Sequence, residues 1–63
     1  LKVKLESLLD TSFQNGYAIE HLFKGDVVDA DFSQFGVRLL FRDTWTLHYD
    51  YRKIEEYFKV HGQ

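Results

Sequence analysis

The chain has 63 residues, a net charge of −2 and no cysteine, so disulfides and thiolate metal sites are excluded. Its hydrophobic share of 44% with 29% charged residues is a globular balance rather than a disordered one, and its acidic balance argues against a general phosphate-backbone binder. No apolar run approaches a membrane span, and the length suits one small domain, residues 1–63.

The first third reads most readily as helical. Leu5, Leu8, Leu9, Ser12, Phe13, Gly16, Ile19 and Phe23 fall on one face at helical spacing, with Gly25 as a stop. Asn15-Gly16 is a turn signal, so this segment is one broken helix or two short ones. Two rival readings remain. Leu1, Val3 and Leu5 alternate with Lys2, Lys4 and Glu6, as in a short opening strand. A hairpin across Asn15-Gly16 ranks below both, because it sets apolar side chains beside polar ones on one face.

Three period-2 runs follow. Val28, Ala30 and Phe32, then Val37, Leu39 and Phe41, then Trp45, Leu47, Tyr49 and Tyr51 alternate with polar neighbours. Parity sets the register of this antiparallel meander. A loop at Ser33–Gly36 puts Phe32 opposite Val37 and Ala30 opposite Leu39. A three-residue loop at Arg42-Asp43-Thr44 puts Phe41 opposite Trp45 and Leu39 opposite Leu47, gathering the large apolar residues on one face. Thr44 is the weak point, since such a loop usually ends on a left-handed residue and a β-branched one resists that. Trp45 is then expected in the core against Phe41. Asp29, Asp31, Arg38, Leu40, Arg42, Thr46, His48 and Asp50 share the opposite, polar face.

Asp50 is a candidate N-cap for a closing helix carrying Ile54, Tyr57, Phe58 and His61, ended by Gly62. The expected fold is α+β in two layers: an N-terminal helical segment, a three-stranded antiparallel meander and a C-terminal helix. Gly36-Val37, Leu40-Phe41-Arg42-Asp43-Thr44 and Leu47 locally resemble the central hairpin of polo-box domains, which are protein-interaction modules. The resemblance is confined to that hairpin and carries over no site residue.

The aromatic share of 17% exceeds what one small core can hold, which favours an interface. The expected contact residues are Phe35, at a loop tip, with Tyr17, Leu22 and Tyr51. The leading function is therefore a noncatalytic protein-interaction domain, self-associating or docked on a larger protein, in the intracellular space and without a cofactor. Symmetric pairing into a homodimer is the default geometry. The chain begins with Leu rather than Met, which reads as a trimmed chain or a piece of a larger one. A nucleic-acid-binding regulator is the alternative. A metal-dependent enzyme is third, resting on His48 and Asp50 beside Asp29 and Asp31.

Overall fold

Alternation, not helical periodicity, governs the N-terminal third. The computed structural model describes residues 1–62. It begins with β1 (Lys2–Ser7), β2 (Thr11–Asn15), β3 (Ala18–Leu22), β4 (Val27–Ser33), β5 (Gly36–Phe41) and β6 (Thr44–His48). The helix α1 (Tyr51–Tyr57) and a last strand, β7 (Phe58–Val60), complete it. Five strands form one antiparallel sheet in the order β6-β5-β4-β1-β7, and β2 and β3 form a separate hairpin. The expected α+β fold is thus corrected to a mostly β one. The N-terminal helical segment is absent, the meander is part of a larger sheet, and one short helix sits near the C-terminus.

β1 forms because each side of its alternation has a use. Leu5 and Ser7 turn inward, and Lys2 and Lys4 lie opposite Asp31 and Asp29 of β4. Of the residues on the expected helical face, Leu5 and Phe13 reach the core, whereas Leu8, Leu9, Ile19 and Phe23 are exposed.

The hairpin turns at Gly16-Tyr17, one position beyond the dipeptide singled out above. Gly16 has φ 62°, the left-handed value that a two-residue hairpin turn needs at its first position. A turn at Asn15-Gly16 would set Ser12 beside Ile19; in the register that forms, Phe13 faces Glu20 instead, another apolar-polar mismatch of the kind that counts against a hairpin. A long-range ion pair offsets it: Glu20 is buried and its Oε2 lies 3.2 Å from Nε of Arg42. At the hairpin's base, the Asp10 and Asp26 carboxylates accept hydrogen bonds from the Lys24 and Phe23 amides, at 2.9 and 2.8 Å.

The core lies between the inner sheet face, the hairpin and α1. Val28, Ala30, Val37, Leu39 and Phe41 supply the sheet side, and Phe13, Leu22, Ile54 and Phe58 close over it. The Phe13 ring is central, 6.1 Å from Phe41, 5.8 Å from Phe58 and 5.0 Å edge-on from His48. Asp50 caps α1 by accepting from the Lys53 amide at 3.1 Å. The helix is shorter than its sequence pattern suggests. Its backbone turns extended at Phe58, and β7 pairs with β1 through Leu5↔Val60, Glu6↔Lys59 and Ser7↔Phe58.

The β4–β5 register is the one that parity predicts, with Phe32↔Val37 and Ala30↔Leu39. The β5–β6 register is not. Phe41 pairs with Thr44, so the turn is the two residues Arg42-Asp43, with φ 49° and 64°. Two left-handed residues in succession make the tight turn whose twist suits a hairpin. The slip of one residue inverts β6. Thr46 and His48 turn toward the core, and Trp45 and Leu47 turn outward.

Candidate interaction face and edge

The inversion of β6 builds a surface that the sequence pattern conceals. Trp45 and Leu47 are 40% and 39% exposed on the outer sheet face, so Trp45 does not pack against Phe41 in the core. Trp45 lies opposite Leu40, and Leu47 lies opposite Arg38. The Arg38 guanidinium carbon sits 5.9 Å from the centre of the Trp45 ring, within cation-π range. An open groove of about 370 Å³ runs across this face, lined by Lys2, Val3, Lys4, Asp29, Ala30 and Trp45.

Two ion pairs lie on the face. Lys4 Nζ meets Asp29 at 2.8 Å, and Arg38 meets Asp31 at 2.7 Å. Hydrogen bonds from the Leu1 ammonium and from Arg38 hold the Asp31 carboxyl below the usual carboxylate range. Such exposed pairs stabilise the fold little.

β6 is also an edge of the sheet: among the described residues, only β5 lies beside it. It holds five residues, Thr44-Trp45-Thr46-Leu47-His48, with no Lys, Arg, Asp, Glu or Pro. Natural edge strands are usually guarded by such residues. On its inner side, the Thr46 hydroxyl donates to the Leu39 carbonyl at 3.3 Å, and His48 Nε2 lies 2.8 Å from Thr46 Oγ1.

Burial, reinforced by the nearby Lys53 cation, holds the His48 imidazole below its ordinary range. The unfolded chain then binds the proton more readily than the folded one. Stability from this group is full above the unfolded value and is lost as pH falls through that value toward the folded one. The urea midpoint is expected to fall between about pH 7.5 and about pH 5, and His48→Gln is expected to flatten that part of the profile. An unchanged slope in the variant would remove His48 as its source.

The residues expected at an interface are dispersed. Phe35 is 70% exposed in the β4–β5 turn, and Tyr17 is fully exposed at the hairpin tip. Tyr51 belongs to the Phe35 corner. Its ring stacks 6.4 Å from Phe32, and its hydroxyl donates to the Ser33 carbonyl and, at 3.3 Å, to the Gly36 carbonyl. Leu22 is 8% exposed and belongs to the core, where it cannot serve as a surface contact. The expected register places Trp45 and Leu47 inside, so it hides their exposure. The signal that could have found them is Thr44, whose β-branched side chain suits a strand end better than a left-handed loop end.

The grouping of His48 with Asp29 and Asp31 also dissolves, because His48 turns inward and both aspartates lie on the outer face. Among the described residues, no three His, Asp or Glu side chains are placed to hold a metal ion, and no helix is long and apolar enough to cross a membrane. No protein-family model, curated protein or solved structure matches this chain.

Proposed function

We propose that this chain is a small noncatalytic protein-interaction domain that takes an extended segment along the β6 edge, beside Trp45 and Leu47. The observation that carries this reading is an uncharged open edge flanked by two half-exposed apolar side chains. An added strand gains main-chain hydrogen bonds from the edge and side-chain selectivity from the alternate positions beside it.

A synthetic peptide matching residues 43–50 serves as the probe. Titrated into isotope-labelled protein, it is expected to shift the Trp45 and Leu47 amide resonances first. The hairpin tip at Tyr17, on a separate sheet, is expected to stay unchanged. Shifts confined to other surfaces, or none at millimolar peptide, would overturn the reading.

One observation favours a second reading. The outer face brings Trp45 together with Arg38, Lys2 and Lys4, and an aromatic ring among basic side chains can stack an unpaired base. The pairing of Lys4 and Arg38 with Asp29 and Asp31, and the net charge of −2, weigh against it. Quenching of Trp45 fluorescence by oligothymidylate, lost on adding salt, would place nucleic acid ahead of protein.

A further inference from the structure

We infer that the segment taken by the β6 edge is the β6 strand of a second copy of this chain, joined antiparallel about a two-fold axis at Thr46. The inference rests on the reading of β6 as a docking edge.

The β5–β6 ladder fixes which backbone groups are free. The two-residue turn makes Phe41 and Thr44 a hydrogen-bonded pair, and strict alternation does the same for Leu39 with Thr46 and Val37 with His48. The N–H and C=O groups of Trp45 and Leu47 therefore point away from β5. They have no hydrogen-bond partner among the described residues.

With the axis at Thr46, Trp45 faces the partner's Leu47, and Leu47 faces the partner's Trp45. Both members of each pair present their free N–H and C=O to the other, so the donors and acceptors match without adjustment. Moving the axis by one residue to Trp45 or Leu47 runs the strand past its own end. Only the Thr46 axis pairs all five residues of β6. On the outer face each Trp45 lies beside the partner's Leu47, an aromatic-aliphatic cross-strand pair. On the inner face Thr46 meets the partner's Thr46, and Thr44 meets the partner's His48.

Charge permits the match. β6 itself carries no acidic or basic residue apart from His48, which burial keeps neutral near pH 7. Beyond the strand ends, Asp43 falls toward the partner's Tyr49 and Arg42 toward the partner's Asp50, so no like charges meet. The opposite edge of the sheet differs. β7 has only three residues, and Lys59 and His61 there bracket Glu6 at 3.7 and 3.2 Å. That edge is short and guarded by charge, whereas β6 is neither. Pairing through β6 would run one continuous sheet through both copies.

Amide hydrogen exchange on the full chain, from low micromolar to millimolar concentration, tests this directly. The Thr46 amide is bonded within the chain and is expected to be protected throughout. The Trp45 and Leu47 amides are expected to exchange freely when dilute and to slow at least tenfold when concentrated, with sedimentation reporting a dimer. Leu47→Pro removes an outward N–H without touching the ladder to β5, so it should abolish association and keep the far-ultraviolet circular dichroism. Leu47→Lys replaces it if the proline variant fails to fold. Association with the Trp45 and Leu47 amides still exchanging freely would overturn the inference. So would a monomer at millimolar concentration, and in that case amide shifts with the 43–50 peptide would leave the docking-edge reading standing by itself.

Discussion

Phe13→Ala is expected to unfold the domain or bring it close to unfolding. The ring joins the hairpin to the sheet, lying between Phe41 and Phe58 and against His48, and the Lys53 ammonium sits 4.7 Å from its centre. Truncating a buried Phe costs about 3–5 kcal/mol, the lost transfer energy plus the cavity left behind. At roughly 0.05–0.15 kcal/mol per residue, a chain of this length has about 3–9 kcal/mol in total, so the loss takes a large share of it or all of it. Ser12 on the same strand faces outward, so Ser12→Ala is the control and is expected to change the urea midpoint little. Equal midpoints for the two variants would mean that the hairpin does not close the core.

Gly36→Ala is the second large effect. Gly36 has φ 146°, outside the range that L side chains readily adopt. A Cβ there would also sit 2.5 Å from the His48 carbonyl oxygen and 3.3 Å from Leu47 Cδ1. The near neighbour is backbone, which cannot swing aside, so the end of β5–β6 must open. The backbone conformation alone costs about 1–3 kcal/mol, and the collision adds to it. Gly16 provides the comparison. It is also left-handed, at φ 62°, but a Cβ there meets nothing within 4 Å. Thermal melts should therefore rank Gly36→Ala well below Gly16→Ala in stability, and the reverse order would contradict the packing of β6 on Gly36.

The two hairpins show what local pattern can and cannot reveal. β4 and β5 are legible because both faces of each strand carry a consistent pattern, and a one-residue slip would bury Asp31 and Arg38. β2 and β3 are concealed because Glu20 sits opposite Phe13 and finds its counter-charge 22 positions later, at Arg42. No local rule carries that information. β6 is legible as a strand but not as to its face. Grouping Trp45 and Leu47 with the core is the natural reading of their size. The core over β5 is instead filled by Phe13, Ile54 and Phe58, which arrive from the hairpin, the helix and the last strand. That leaves the inner positions of β6 to the smaller Thr46 and to His48. Arg42 and Asp43 lack the glycine that usually announces two left-handed turn residues, so the turn length was also hidden.

The candidate site follows the same division. The exposure of Phe35 and Tyr17 at turns could be read from the sequence, because turn residues seldom reach a core. The outer-face groove and the uncharged edge could not, because both depend on the β5–β6 turn having two residues rather than three. The outward side chains and the free edge groups of β6 both follow from that single register.

Acrylamide quenching of the one tryptophan tests the register most directly. At low micromolar concentration Trp45 is expected to emit at a partly solvated wavelength, with quenching intermediate between a free indole and a buried one. Its quenching should fall as concentration rises and the edge is covered. A blue-shifted emission that acrylamide does not quench, even in dilute protein, would put Trp45 back in the core and contradict the inverted β6.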